Sequence, residues 1–472
     1  MPHGKTWLGR AIAAQVLLAT AACSVGPDYA RPSVPVPAAY KEADAPVPGW
    51  QTAGTAVPPT GRWWEVFGDA ELSTLETRIE GGNADLAAAV ARYDQSQGLL
   101  RQARADRVPQ ISAGADLSRQ RVSAGRPLSL GNPATYSVAT VGASLDYEVD
   151  LFGRVRNAIR AGRANAAASA ADLAGVRLAL QAQLANVYFD MRGLDARIVL
   201  LRQTVAAYQR AFTLTDTRHT GGIASGIDVS RAQNLLSSAR AELQAVSIDR
   251  QRDEHAIAVL TGEAPSGFAI SVVERQTAPP ILTAGLPSAL LERRPDIGAA
   301  ERRVAAANAR IGVARAALFP SITLGASGGF EAASGALLSA SNGFWALGPL
   351  STALSLIDGG RRRAGVQIAR GEFEEAAATY RQTVLTAFRE VEDDLVSQRY
   401  LAAQERDQSL AAAAAEHTRE LALIRYRDGA SDYLEVVTAQ TAALDAERSL
   451  LDIRTRQLQT STDLARALGG RW

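Results

Sequence analysis

The chain says nearly the same thing twice, about two hundred residues apart. Asp85-Leu86-Ala87-Ala88 is answered by Asp296-Ile297-Gly298-Ala299, and Ala103-Arg104-Ala105 with Pro109-Gln110-Ile111 by Ala314-Arg315-Ala316 with Pro320-Ser321-Ile322, a constant offset of 211. From Gly153-Arg154 against Gly360-Arg361 the offset drops to 207. It stays there through Arg218, Gly222, Asp228-Val229 and Ala232-Gln233 against Arg425, Gly429, Glu435-Val436 and Ala439-Gln440. Repeats of this size mean a duplicated architecture, not a short solenoid unit. One pseudo-symmetric body is expected, with repeat 1 over 63–265, a linker over 266–285 and repeat 2 over 286–472.

Charge does not point to a polyanion partner. The 50 basic residues almost cancel the 49 acidic ones, so nucleic acid is not an expected partner. Beyond residue 30 no apolar run approaches the ~20 residues of a membrane-spanning helix, so a membrane crossing would have to use strands. The amino terminus sets the compartment. Lys5 and Arg10 precede the apolar run Ala11–Ala22, which ends at Cys23; residues 1–22 read as a signal peptide. Cys23 is the only cysteine, so it makes no internal disulfide and is either incidental or modified. Thr20-Ala21-Ala22-Cys23 resembles a bacterial lipobox, which implies N-acyl and diacylglycerol lipid on Cys23 and no other cofactor. Ser24 in place of Asp favours the outer membrane as destination. An acyl chain anchors without spanning.

Residues 23–62 carry many prolines, which block helix and central strand, so this segment should be extended, as a free tether or along the body's surface. The repeated body begins at Trp63-Trp64-Glu65-Val66-Phe67, an aromatic cluster that reads as a packing anchor. Within each repeat the hydrophobic period then changes in a fixed order. A helix over about 85–108 is stopped by Pro109. Ile111, Ala113, Ala115 and Leu117 then alternate with polar residues, and after a Gly/Pro/Ser-rich loop so do Val141, Ala143, Leu145, Tyr147 and Val149. This gives a hairpin over about 111–150. Its counterpart over about 322–357 uses Ile322, Leu324, Ala326 and Phe330 with Leu350, Leu354 and Leu356.

Such hairpins could cover a soluble core, but their alternation continues for about ten residues, the length of a transmembrane strand. Four strands cannot close a barrel, and lipid tolerates no unpaired edge. Closure therefore needs several chains: two give eight strands and a filled interior, three give twelve and room for a pore. The helices add a second argument. Arg154 to Thr217 runs about 64 residues without proline, roughly 96 Å. Leu173, Val176, Leu180, Leu184, Val187, Met191, Leu194, Ile198, Leu201, Val205, Tyr208 and Phe212 keep a heptad seam along it. Two shorter helices, about 85–108 and 227–262, are together long enough to pair with it end to end. Repeat 2 reproduces this with 361–424 against 296–319 and 434–469.

The chain resembles the outer membrane factors, the TolC-like exit ducts of efflux and secretion systems, in their NodT-type lipoprotein branch. The resemblance covers nearly the whole mature chain. It rests on Cys23-Ser24-Val25-Gly26-Pro27-Asp28-Tyr29, Trp64…Phe67-Gly68-Asp69, Asp146-Tyr147-Glu148-Val149-Asp150-Leu151-Phe152-Gly153-Arg154, Arg293-Arg294-Pro295-Asp296-Ile297, Leu318-Phe319-Pro320 and Phe388-Arg389-Glu390-Val391-Glu392-Asp393. It implies an α+β membrane protein: a homotrimer whose twelve-stranded outer-membrane β-barrel, four strands per chain, continues as a long α-helical coiled-coil barrel across the periplasm. The resemblance puts the aperture at the helix turns 218–225 and 425–432, making Arg218, Asp228, Tyr426, Asp428, Asp432 and Glu435 the candidate gate residues. Gly222 and Gly429 suit the left-handed geometry of a tight reversal. Asp228 and Glu435 fall in the first turn of the returning helix, where a carboxylate favours the helix dipole. By resemblance Glu435 lies near an acidic ring that would select cations, and Tyr426 matches a gate-locking tyrosine. Ser431 and Thr438 depart from that pattern, standing where an arginine and a second acid are expected.

No HExxH, paired-cysteine or nucleophile-elbow pattern appears, so no enzyme is expected. The acidic run Glu390–Asp394 reads as a solvated helix face. The expected function is an outer-membrane channel of a tripartite efflux system, conducting passively, with a periplasmic adaptor, an inner-membrane transporter and outer-membrane lipid as partners. Two alternatives stand beside it: a periplasmic coiled-coil lipoprotein without a pore, and a type I secretion duct.

Overall fold

The computed structural model describes residues 25–42, 61–125, 133–273, 276–280, 282, 287–333 and 335–470. The signal peptide, Cys23, Ser24 and part of the linker lie outside the described residues. The element order is α1 (Ala70–Gly82), α2 (Ala84–Ala105), β1 (Gln110–Val122), β2 (Ala134–Glu148), α3 (Arg154–Thr220) and α4 (Gly226–Thr261). It then recurs as α5 (Pro287–Arg293), α6 (Pro295–Ala316), β3 (Ser321–Ala332), β4 (Gly343–Ala353), α7 (Arg361–Arg427) and α8 (Tyr433–Ala467). Among the described residues no helix is long and apolar enough to cross a membrane. The chain divides into two compact units, each drawn from both repeats: the described residues of Met1–Ser33, Arg92–Ala170 and Ala299–Tyr380, and those of Val34–Ala91, Ala171–Gly298 and Arg381–Trp472.

The first unit holds the strands, in one antiparallel sheet ordered β1-β2-β3-β4. Its register places the alternating apolar residues on one face. Ile111 lies opposite Leu145, Leu145 opposite Ala326 and Ala326 opposite Leu347; Ala115 lies opposite Val141 and Val141 opposite Phe330. That face is in the open, with Ile111, Leu117, Trp345, Leu347 and Leu350 all more than two-thirds exposed. The second hairpin is shorter than its sequence suggests. β4 ends at Ala353, so Leu354 and Leu356 follow the strand instead of belonging to it. A register shift between Leu324 and Ala326 inserts an extra residue into β4, which is why Leu347 and Leu350 share a face although they are three apart.

Helix α2 stops at Ala105, before the expected 108. The residues ahead of Pro109 close instead with short-range bonds, Arg107 N–H to Arg104 O and Val108 N–H to Ala105 O. Leu318 and Phe319 repeat both bonds ahead of Pro320, to Arg315 and Ala316. Since a proline cannot donate and restricts its predecessor, each helix tightens before handing over to a strand. In this unit α2 meets α3 through Leu100 against Val155, Ile159 and Ala166. The described start of the N-terminal segment is no free tether: Asn308 donates to Pro27 O and Tyr29 to Glu301; residues 43–60 lie outside the described residues.

The second unit bears out the heptad seam. Leu180, Leu184, Met191, Ile198, Leu201 and Tyr208 are buried, the last three against Val246, Leu236 and Ala239 of α4. Each such leucine contributes about 1.5–3 kcal/mol by leaving water. The seam also needs a partner across the start of α2. It gets one because α4 ends where α1 ends: a Cβ on Gly82 would fall 2.0 Å from Thr261 O, and one on Gly262 2.0 Å from Gly82 O. Only glycine lets the two backbones touch there, and Asn83 seals the joint by donating to Leu260 O. The short helix α1 has no counterpart in the sequence-based expectation; its signal is Asp69, which accepts from Leu72 N–H as N-cap.

The aromatic cluster is a packing anchor, with Trp63 and Phe67 buried and Phe67 4.7 Å from Phe189. The described part of the linker is docked. Buried Asp195 accepts from Arg250, Arg192 and Val273 N–H, while Arg192 donates to Ser271 O and Arg250 to Ile270 O. Breaking one partner of such a buried ionic set typically costs about 3–5 kcal/mol. The acidic run 390–394 is also no plain solvated face. Glu390 meets Arg294 at 2.7 Å, and Glu392 accepts from the backbone N–H groups of Lys41 and Glu42.

Candidate functional site

The candidate gate lies in the second unit, where the long helices reverse. Both helices run three residues past their expected ends, because glycine, not the first polar residue, stops them. Gly221 N–H bonds to Thr217 O, Gly222 N–H to His219 O and Ile223 N–H to Arg218 O. Asp428, Gly429 and Ala430 bond likewise to Ile424, Tyr426 and Arg425, each partner displaced by the same 207 residues. Gly222 has φ +74° and Gly429 φ +76°, with open space where a Cβ would stand. The demand for glycine is therefore conformational, not steric crowding.

The returning helices begin with matched caps. Ser225 Oγ accepts from Asp228 N–H at 3.2 Å, and Asp228 accepts back from Ser225 N–H at 3.3 Å, a complete capping box. Asp432 accepts from Glu435 N–H at 3.1 Å. Asp228 and Glu435 thus occupy the first helical turn, as expected. Beyond its cap, Asp228 lies 3.8 Å from Arg231, whereas Glu435 pairs with Arg425 at 3.1 Å.

Arg218 reaches from one turn to the other. Arg218 donates to Tyr426 O at 2.6 Å and Arg427 O at 2.8 Å, two carbonyls of the last turn of α7, and its guanidinium sits 4.6 Å over the Tyr426 ring. A cation there answers the negative end of the helix and stacks on an aromatic face. Tyr426 is buried, edge-on to Tyr433 at 5.3 Å, in a cluster with Ala232, Ala422, Val436 and Ala439. Its hydroxyl lies 3.5 Å from Thr215. Burial, with Tyr426 beside it, pushes the Tyr433 hydroxyl up to about 12.

The structure therefore gathers Arg218 with Tyr426; Asp228, Asp432 and Glu435 stand at the caps of their own helices, Glu435 also pairing with Arg425, and Asp428 is exposed at the turn. Sequence reasoning missed Thr215, Arg425 and Tyr433. Arg425 was legible as the repeat partner of Arg218; Tyr433 lies beyond the reversal in the next helix, so no helical spacing from Tyr426 marks it. Cys23 lies outside the described residues.

A strand set with one open apolar face, feeding long paired helices that reverse at glycine turns, defines a membrane-channel chain of α+β class. A family profile described as outer membrane efflux protein matches residues 77–263 and 286–470. The chain is 35% identical over 462 residues to outer membrane protein OprJ of Pseudomonas aeruginosa, covering 97% of this chain and 95% of that one. It is 34% identical over 472 residues to the toluene efflux pump outer membrane protein TtgC of Pseudomonas putida, covering 99% and 96%. A crystal structure of a membrane protein from Pseudomonas aeruginosa, 33% identical, superposes with a TM-score of 0.85 over 95% of this chain and 100% of that one. The chain belongs to the outer membrane efflux protein family, and it is the outer-membrane channel component of an efflux system.

Proposed function

We propose that three copies form one passive duct, with no catalytic step. The observation that carries this is the sheet itself: four strands, one lipid-compatible face, and β1 and β4 as its two edges. An edge in lipid leaves backbone groups unpaired, so β1 of one copy must pair with β4 of the next. Three copies give twelve strands and an open lumen. The repeats 63–265 and 286–472 then supply six near-equivalent helical sectors around it. An adaptor docks at the glycine turns and an inner-membrane transporter supplies the energy. Lipid on Cys23 anchors the amino terminus. The turns form the aperture, where Glu435 from three chains lies at the constriction, with Arg218, Tyr426, Asp228, Asp428 and Asp432 setting its geometry.

Planar-bilayer recording tests this reading together with heat-modifiable migration on gels. The expected result is a trimer band and ion conductance whose cation block weakens in Glu435→Gln. A monomer without conductance sinks the duct, and block unchanged by Glu435→Gln removes that residue from the aperture.

A further inference from the structure

The charges of this chain cancel over its length but not at the foot of its sheet. Residues 101–109, 148–163, 310–320 and 354–370 flank the helix-side strand ends. They hold three, four, two and four arginines against one, two, none and one carboxylates, thirteen against four. Glu148, Asp150 and Asp358 are already engaged by arginines of the same set, with Arg154 at 2.6 Å, Arg156 at 3.2 Å and Arg362 at 2.7 Å. Arg107, Arg163, Arg361 and Arg363 belong to the surplus and are exposed. At the opposite end of the sheet charge is sparser: β1 ends with Arg119 and Arg121, β3 ends with Glu331, and the sequence between the paired strands, 123–133 and 333–342, adds only Arg126.

Apolar side chains stand in the same place. Leu356 is 87% and Ile357 93% exposed, and Phe152 stacks on Phe319 at 4.7 Å. That ring pair borders a cleft of about 600 Å³ with Arg154 and Arg362 in its wall. A soluble acidic partner would match the charge but leave Leu356 and Ile357 in water. A headgroup layer accommodates both, because arginine meets phosphate while leucine, isoleucine and phenylalanine enter the acyl boundary.

We propose that this arginine collar binds the anionic phospholipid headgroups of the leaflet on the helix side of the sheet, with Leu356, Ile357 and the Phe152–Phe319 pair set into its acyl boundary. The proposal rests on reading the sheet as a membrane barrel. Each arginine at an anionic surface strengthens attraction roughly fivefold.

The test mixes purified full-length protein with equimolar phosphatidylglycerol and phosphatidylcholine and weighs the retained lipid by native mass spectrometry. The wild type should prefer phosphatidylglycerol by roughly tenfold or more. The combined Arg107→Gln, Arg163→Gln, Arg361→Gln and Arg363→Gln variant should fall to near parity, and the four lysine replacements should keep the preference. Equal retention by the wild type overturns the collar, as does an unchanged preference in the glutamine variant. A glutamine variant that shifts the ion selectivity of conductance while its lipid preference stays intact also overturns it, by placing these arginines in the lumen. A wild type that conducts without lipid preference overturns the collar alone; a wild type that does not conduct overturns the channel reading.

Discussion

The two helix turns share one backbone and differ in their attachments. Gly222 and Gly429 reverse the chain with the same bonds displaced by 207 residues, yet Arg218 and Arg425, equivalent in sequence, do unlike work. Arg425 stays within its own repeat, paired with Glu435 across a solvent-exposed gap. Arg218 leaves its repeat and caps the end of α7. Tyr426 fills a buried site where the first repeat has exposed His219, and Tyr433 stands where it has Gly226. Duplication thus preserved what the backbone demands and released the side chains to specialise. The consequence is directional: the second turn is held by the first, so a motion separating the two must break the contacts of Arg218.

The largest effect that breaks this comparison is expected from Tyr426→Ala. Removing a buried aromatic typically costs about 3–5 kcal/mol, and here the void opens between Tyr433, Val436 and Ala232. Hydrogen exchange should accelerate over 422–436 and around Thr215, with the caps of α4 much less affected. His219→Ala, its repeat partner, should change little.

Next comes a difference along the long helices. Val187 of α3 is matched by Asp394 of α7, and burial with Asp463, Glu390 and Asp393 nearby pushes the Asp394 carboxyl up to about 7, against the opposing pull of Arg466. A raised carboxyl favours the folded state when protonated. Stability from this site is therefore fully present below about pH 4 and lost as pH rises through about 7. Asp394→Asn should raise the unfolding temperature at pH 8, by on the order of a few kcal/mol in stability, and leave it nearly unchanged at pH 4. Equal gains at both pH values would remove Asp394 as the titrating group.

The duplication, the strand faces and the heptad seam were legible in the sequence because each is a period, and periods survive any choice of partner. What was not legible depends on contacts between distant segments. The close approach of Gly82 to Gly262 needs two backbones 180 residues apart; Gly262 is marked locally as the left-handed C-cap of α4, but nothing local marks its contact with Gly82. The ends of the long helices were misjudged by three residues because polar Arg218 and Arg425 look like turn residues, while φ at Gly222 and Gly429 decides the stop. Leu354 and Leu356 continue the apolar alternation past Ala353, and only pairing with β3 shows where the strand ends. At the candidate gate, glycines and caps could be read directly. The reach of Arg218 to another helix could not, since a long flexible side chain carries no sequence signal for its acceptor.

That reach supplies the smallest but most discriminating prediction, a matched pair of substitutions. Arg218→Gln removes a charged donor from two carbonyls and a ring, where hydrogen bonds to charged groups contribute about 1.5–3 kcal/mol. Arg425→Gln removes one exposed ion pair, where the usual contribution is about 0–1 kcal/mol. If the turns are asymmetric as described, Arg218→Gln should loosen the end of α7, seen as faster exchange of the amides of 424–430, and raise the open probability of the channel in bilayers. Arg425→Gln should leave both close to wild type apart from a change in cation block through Glu435. Adding Tyr426→Phe to Arg218→Gln should cost little more, because the Tyr426 hydroxyl does not meet Arg218 and its contact with Thr215 is long, 3.5 Å. Equal effects from the two arginine substitutions would mean that the repeats still act as equals at the tip, and the directional coupling of one turn to the other would have to be abandoned.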